Sequence, residues 1–494
     1  MSQIQVKNLS FGYQGSYENV FENVSFNIDT DWKLGLIGRN GKGKTTFLKL
    51  LLNEYNYQGK IEKSVEFDYF PFEVKDEKNK TLDIINEIAF FPEEWKIYKE
   101  LNLINANTEI LYRSFNVLSG GERVKALLVA LFLKENNFLL IDEPTNHLDY
   151  DSKKEVEKYL NDKKGFIVVS HDREFLDNVV DHIISINNKN IDIQKGNYSS
   201  WKENKERQDN FELAENNKLK KDIKRLEESE KRTQKWSNDI EKTKYGSRNS
   251  GLRPDRGYIG HQSAKMMQRS KSIENRKNKE ILEKESLLKN VDVAHSLTMK
   301  PLQFRKKEII YASNLQIKFN NKPIFQKLNF DINVGDRVLI AGENGSGKTS
   351  LINLILGENI EYDGEIKIAN DLKISYVEQH TDKVKGNLRE YALKYQIDEG
   401  IFKAMLSKLG VESKEFEKNI QNMSEGQKKK VLIARSITES ADLYVWDEPL
   451  NYIDIISREQ IEEMILKYKP TIIFVEHDKI FGKKIANKII EISK

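Results

Sequence analysis

Gly38-Arg39-Asn40-Gly41-Lys42-Gly43-Lys44-Thr45 follows the apolar run Lys33-Leu34-Gly35-Leu36-Ile37, and Gly342-Glu343-Asn344-Gly345-Ser346-Gly347-Lys348-Thr349 follows Val338-Leu339-Ile340-Ala341, 304 residues further on. A strand that runs into G-x-x-x-x-G-K-[ST] and then into a helical pattern makes a loop whose backbone N–H groups and helix N-terminus wrap a polyphosphate. The repetition extends beyond the loop. Ser119-Gly120-Gly121-Glu122 recurs as Ser424-Glu425-Gly426-Gln427 and Asp142-Glu143-Pro144 as Asp447-Glu448-Pro449, both displaced by 305 residues. Ser170-His171-Asp172 recurs as Glu476-His477-Asp478, displaced by 306. A near-constant offset means two copies of one domain, at 1–198 and 302–494, with 199–301 between them. Each copy alternates short β-branched runs with helical patterns. Phe138-Leu139-Leu140-Ile141 precedes Asp142, Gly165-Phe166-Ile167-Val168-Val169 precedes Ser170-His171, and Leu443-Tyr444-Val445-Trp446 and Thr471-Ile472-Ile473-Phe474-Val475 repeat them. The fold class is therefore α/β, with mainly parallel sheets that carry the motifs at their strand ends.

Composition narrows the function classes. The 494 residues hold 80 Lys+Arg against 77 Asp+Glu and no cysteine, which excludes disulfides, thiol catalysis and thiolate metal sites. No run approaches the roughly 18 apolar residues of a membrane helix, and the start, Met1-Ser2-Gln3-Ile4-Gln5-Val6, lacks a secretory pattern. A cytoplasmic address is expected.

In the two P-loops, Lys44 and Lys348 reach the terminal phosphates and the hydroxyls of Thr45 and Thr349 ligate Mg²⁺. Asn40, Gly41, Gly43 and Thr46, with Asn344, Gly345, Gly347 and Ser350, share those loops and are assigned to nucleotide with Gly38 and Gly342. Asp142 and Asp447 close apolar strands and support the metal, while Glu143 and Glu448 orient or deprotonate the attacking water. His171 and His477 are placed to contact a γ-phosphate or that water. An isolated Asp-Glu pair is as often a pair of solvated carboxylates at a strand end, and an isolated histidine is more often structural; here both recur in register downstream of a P-loop.

P-loop, L-S-G-G-E at Leu118 to Glu122, strand-D-E-P, T-N-H-L-D at Thr145 to Asp149 and S-H-D, in this order, resemble the ATP-binding-cassette nucleotide-binding domain, in both repeats. The resemblance implies that two cassettes pack head to tail, as an intramolecular dimer in a monomeric chain. Gly38 to Thr45 with Glu143 and His171 would face Ser424 and Gly426, and Gly342 to Thr349 with Glu448 and His477 would face Ser119 and Gly121. It also implies that Tyr13 and Phe319 stack on adenine and that Gln379 joins Mg²⁺. Two departures set the sites apart: Phe70-Pro71-Phe72-Glu73 has no glutamine, and the second signature reads Met423-Ser424-Glu425-Gly426-Gln427.

The intervening segment separates the remaining possibilities. Trp201 to Glu241 is helical in pattern and heavily charged, with a sparse apolar face at Leu219, Ile223, Leu226, Trp236 and Ile240. Gly246, Gly251, Pro254, Gly257 and Gly260 break it, and a second helical pattern resumes near Ser263 and runs through Ile273, Ile281 and Leu288. This predicts a long antiparallel helical hairpin with an irregular tip. Residues 231–280 hold 14 Lys+Arg against 5 Asp+Glu, a net of +9 in a chain whose total is +3. Charge alone fits a solvated helix. Arg248, Arg253, Arg256, Lys265, Arg269 and Lys271, with Tyr245, Leu252, Pro254 and Tyr258 among them, suit RNA phosphates instead.

Two cassettes joined by such a linker resemble the ABC-F family of ribosome-binding ATPases, and within it the antibiotic-resistance group of the Lsa type. Gly35 to Gly41, Gly196-Asn197-Tyr198, Leu213 to Asn216, Lys244-Tyr245-Gly246, Met267 to Lys271 and Trp446 to Asn451 carry that similarity. The first cassette has no sizeable insertion between Phe72 and Ser119, and the chain stops soon after Ile489-Ile490-Glu491-Ile492, which fits the same group. The resemblance implies ATP and Mg²⁺ as cofactors and the 70S ribosome as partner, with 23S rRNA and P-site tRNA in contact and neither a membrane nor an obligate protein subunit. Lincosamide, pleuromutilin or streptogramin A drugs would then be displaced from the peptidyl-transferase centre. Competing readings are a general translation factor for stalled ribosomes, the ATPase subunit of a drug exporter, and a DNA-repair ATPase, which needs a much longer coiled coil.

Overall fold

The computed structural model describes residues 3–14, 19–145, 148, 150–187, 190–242, 265, 268, 271, 272, 275, 276, 296–319, 322–343 and 345–493. Residues up to Trp201 and from Ala294 form one compact unit that holds both cassettes, and Lys202–Val293 form another.

In the first cassette a six-stranded sheet runs in the order Glu66–Phe70, Asn137–Asp142, Phe166–Val169, Lys33–Ile37, His182–Asn187, Asn190–Lys195. All neighbours are parallel except the last pair. The second cassette repeats this with Ile374–Val377, Leu443–Asp447, Ile472–Val475, Arg337–Gly342 and Lys488–Ile492, all parallel. Each cassette adds an antiparallel sheet, built around Gln3–Phe11 in the first and Glu308–Phe319 in the second.

The unbroken apolar runs of the central strands follow from burial on both faces. Phe138 and Leu140 point into the cluster shared with the antiparallel sheet, whereas Leu139 and Ile141 point into the helical layer. Leu443 and Val445 against Tyr444 and Trp446 divide in the same way. Period-2 alternation thus serves two cores at once and fixes the register of the strand that ends in the acidic pair. Leu297 and Met299, assigned to the linker in the reading above, are buried in the second cassette's core, so that cassette's packing begins several residues before 302.

Tyr198–Lys242 is one continuous 45-residue helix, close to the expected Trp201 to Glu241. Its polar surface is tied by ion pairs one turn apart, Arg207 to Glu203, Lys205 to Asp209 and Lys202 to Glu206. Lys265 and Lys271 are helical and exposed. Tyr245, Arg248, Leu252, Arg253, Pro254, Arg256, Tyr258 and Arg269, and with them the hairpin and its tip, lie outside the described residues. Among the described residues no helix is long and apolar enough to cross a membrane.

Candidate functional site

The two P-loops are built alike. Gly43 and Gly347 precede the helices Lys44–Leu51 and Lys348–Ile355 with φ of 98° and 97°, a region that disfavours side chains. A Cβ on Gly43 would also lie 2.6 Å from Val20 Cγ1, so the loop closes only with glycine there. Lys44 Nζ donates to Gly38 O at 2.8 Å and to Asn40 Oδ1 at 3.1 Å. Lys348 Nζ donates to Gly342 O at 2.9 Å and Glu343 O at 2.8 Å. Each ammonium is folded over its own loop onto neutral acceptors that phosphate oxygens can replace, and burial pulls both lysines below their ordinary pKa.

Thr45 Oγ1 donates to Asp142 Oδ2 at 3.3 Å, and Thr349 Oγ1 to Asp447 Oδ2 at 3.2 Å. Burial raises both aspartates above the ordinary carboxylate range. Asp447 Oδ1 is buried without a hydrogen-bond partner. A hydroxyl beside a single carboxylate with an unused oxygen fits Mg²⁺, which keeps several waters and takes its other ligands from phosphates. Among the described residues no group of three or more His, Asp or Glu could hold a metal by itself.

Glu143 and Glu448 sit one residue past their strands with φ of 51° and 46°, in the left-handed region that non-glycine residues seldom occupy. Backbone bonds hold them there: Glu143 N–H to Val169 O at 2.9 Å and Glu448 N–H to Val475 O at 3.0 Å. The turn aims both carboxylates back over the P-loops, and strain of this kind gathers at active sites. His171 Nε2 lies 3.2 Å from Glu143 Oε1, and His477 Nε2 3.4 Å from Glu448 Oε1.

The two carboxylates differ in charge state. Burial, with Asp142 next to it, pushes Glu143 up to about 8. Burial also opposes ionisation of Glu448, but hydrogen bonds from His477, Gln379 and Asn451 outweigh it and hold that group down to about 2. The first cassette has Phe72, half-exposed, where the glutamine would stand. His171 is kept neutral by burial and by the charges of Lys44 and Arg458.

The partner cassettes complete the two sites unequally. A cavity of about 460 Å³ over the first P-loop is lined by Tyr13, Lys44, Glu143 and His171 and, from the second cassette, by Ser424, Gly426 and Tyr452. Asn40 Nδ2 donates to Tyr452 O at 2.7 Å. A Cβ on Gly426 would lie 2.7 Å from that same carbonyl and 3.0 Å from Asn40 Nδ2, so the signature needs glycine here. A cavity of about 500 Å³ over the second P-loop is lined by Lys348, Thr349, Ser350, Gln379, Glu448 and His477 and, from the first cassette, by Glu143, Thr145, Lys153 and His171. Ser119 and Gly121, expected to face this loop, do not line it. Ser119 caps its helix with Glu122, and Gly121 faces Ser152 of its own cassette.

Tyr13 OH lies 2.6 Å from Thr46 Oγ1, and its ring meets Phe11 edge-on at 5.1 Å and Tyr55 at 5.9 Å, an aromatic patch at the mouth of the first site. Phe319 is exposed at the end of its strand, and Asn344 lies outside the described residues.

Sequence reasoning missed the residues that only topology brings together. Tyr69 OH donates to Asp142 Oδ2 at 2.9 Å from the neighbouring strand. Arg173, buried at the start of its helix in the first cassette, pairs with fully buried Glu462 and reaches Asp478 at 3.5 Å and Glu459 at 3.7 Å in the second. Tyr198, where the long helix begins, donates to Glu459 at 3.0 Å. Ser170-His171-Asp172 was visible, but nothing local to the next residue, Arg173, announced its acidic partners in the second cassette.

A sequence profile described as ABC transporter matches residues 21–146 and 325–451, the two segments that hold the P-loops, signatures and acidic pairs. The chain belongs to the ABC transporter family. As an ABC ATPase it hydrolyses ATP, and it is homologous to ABC-F members. It is 29% identical over 502 residues to "Ribosome protection protein VmlR" of Bacillus subtilis (strain 168), covering 97% of this chain and 85% of that protein. It is 30% identical to "ATP-binding protein Uup" of Buchnera aphidicola subsp. Acyrthosiphon pisum, covering 99% and 80%, and 25% identical to "ABC transporter F family member 2" of Arabidopsis thaliana, covering 99% and 76%. Among solved structures this ABC chain resembles the archaeal ribosome recycling factor aABCE1 in complex with ribosomal stalk protein aP1, with a TM-score of 0.61 at 17% identity over 98% of this chain and 87% of that one. That likeness shows the shared fold of two tandem ATPase cassettes.

Proposed function

We propose that this ABC ATPase is a ribosome-protection factor: with ATP bound and its cassettes closed it binds the bacterial 70S ribosome, and its linker displaces lincosamide, pleuromutilin or streptogramin A antibiotics from the peptidyl-transferase centre beside the P-site tRNA. The observation that carries this reading is the similarity to VmlR, which runs through cassettes and linker alike rather than through the P-loops alone. The net charge of +9 over residues 231–280 supports a partner made of phosphates.

The chain's own residues supply the switch. Lys44 and Lys348 exchange loop carbonyls for phosphate oxygens, and Ser424 and Gly426 bring the second cassette onto the nucleotide held by the first. Thr45 and Asp142 in one site, and Thr349, Asp447 and Gln379 in the other, would hold Mg²⁺, which would neutralise phosphate charge when bound. Glu448, ionised and fixed by Gln379 and Asn451, orients a water and accepts its proton, with His477 beside it. Nucleotide controls ribosome binding only if the closed form binds better than the open one. The Glu143→Gln/Glu448→Gln double variant, which removes both water-orienting carboxylates, is therefore expected to co-sediment with 70S ribosomes in ATP and to stay in the supernatant in ADP. Absence from the pellet in ATP rejects the ribosome as partner. Shortening residues 247–258 is expected to abolish growth protection against the three drug classes; full protection without them rejects the linker's role. A growth defect of the deletion strain in drug-free medium would favour a general translation factor instead.

A further inference from the structure

Lys429 and Lys430 are consecutive cations on the helix Glu425–Thr438, and each is only 1% exposed. Lys430 has a carboxylate, Asp454, at 2.6 Å. Lys429 has no ion-pair partner among the described residues. Its Nζ donates instead to three main-chain carbonyls, those of Glu378 at 2.7 Å, Gln379 at 3.1 Å and Asp447 at 3.4 Å.

Those carbonyls belong to the second ATP site. Asp447 takes the Thr349 hydroxyl, and the Gln379 side chain reaches Glu448. The helix that carries Lys429 belongs, at its other end, to the first ATP site: it starts at the Ser424 cap, and Ser424 and Gly426 line the cavity over the first P-loop. Five residues of helix, roughly 7.5 Å, separate Ser424 from Lys429. A buried ammonium loses heavily if its acceptors move away, so the backbone at Gln379 and Asp447 and the start of this helix must move as one body. The first cassette lacks the device, since Val124 stands five residues after Ser119.

We propose that Lys429 is a positioning residue that couples the two ATP sites, setting the signature over the first nucleotide according to whether the second site is filled. The inference rests on ATP hydrolysis alone and is independent of the ribosome as partner. Two full-length backgrounds report it. In Glu448→Gln the second site stays loaded, in Lys348→Ala it stays empty, and in both the first site supplies the turnover. The ratio of the two rates measures the coupling, typically fivefold or more where one exists. Lys429→Met is expected to bring that ratio close to one while leaving the turnover of the Lys348→Ala background unchanged, and Lys429→Arg to preserve the ratio. An unchanged ratio in Lys429→Met overturns the proposal. So does an equal loss of turnover in both backgrounds, which marks a merely structural residue. Should Lys429→Met not fold, Lys429→Gln, with one amide donor and no charge, takes its place in the same comparison and is read in the same way.

Discussion

Glu143 and Glu448 have the same backbone strain and the same histidine neighbour, yet opposite protonation. Burial and the neighbouring Asp142 raise Glu143, whereas at Glu448 hydrogen bonds from His477, Gln379 and Asn451 outweigh burial; Phe72 replaces the glutamine in the first cassette. A carboxyl pushed up to about 8 in the folded protein and near 4.5 when unfolded holds its proton only in the native state between those values. Stability must therefore fall as pH rises through that window, by about 1.4 kcal/mol per unit for one group. In nucleotide-free protein, Glu143→Gln is expected to flatten the decline of the melting temperature between pH 5 and 8. A decline of the same slope in the variant would place the proton elsewhere. Glu448→Gln is expected to leave that slope as it is, because Glu448 stays ionised throughout.

Between elements, the cassettes are joined by buried charge. The helix Arg173–Val179 of the first cassette inserts its arginine among Glu459 and Glu462 of the helix Ile455–Tyr468 and Asp478 beyond it. Removing Arg173 takes one cation out of a cluster in which Glu462 keeps Lys484 at 2.8 Å and Asp478 keeps Arg458 at 3.3 Å, so the cost stays below the about 3–5 kcal/mol of breaking an isolated buried pair. Arg173→Ala is expected to lower the unfolding free energy by up to that amount, read as a lower denaturant midpoint at unchanged m, and the Arg173→Ala/Glu462→Gln double variant to recover part of it. Equal midpoints for the two variants would show that Glu462 is not the principal partner. At the signature helix, Ser424 accepts from Gln427 N–H while the Gln427 side chain accepts from Ser424 N–H. Ser424→Ala removes this cap, worth about 0.5–2 kcal/mol. First-site turnover is expected to drop by more than that stability loss accounts for, because the same helix start lines the nucleotide cavity.

At the scale of the whole molecule, charge is divided: the stretch 231–280 is at +9 and everything outside it sums to −6. Ribosome pelleting of the double Gln variant is expected to weaken steeply between about 50 and 200 mM salt, as phosphate contacts do. Lys265→Glu/Lys271→Glu, on exposed helical positions, is expected to reduce pelleting at fixed salt; binding that ignores both changes would argue for a protein surface as the contact. How much of this was legible in the sequence depended on distance along the chain. The strands around Asp142 and Asp447, the P-loop glycines and the long helix from Tyr198 are local patterns, and they were read to within a few residues. The Arg173 cluster, the Tyr69 to Asp142 bond and the carbonyl cage of Lys429 exist only because the parallel topology brings distant strands and helices side by side, and no periodicity encodes that. The pairing of the first signature with the second P-loop was an expectation from symmetry, and the cavity there is lined instead by Thr145 and Lys153.

The helix that begins at Tyr198 leaves the first cassette while its first hydroxyl is bonded to Glu459 of the second. Its root is therefore held by both cassettes at once. The 45 residues make a rod roughly 68 Å long at 1.5 Å per residue. Its reach is set by chain length alone, so inserting or deleting helical turns along the shaft would change that length without touching either ATP site.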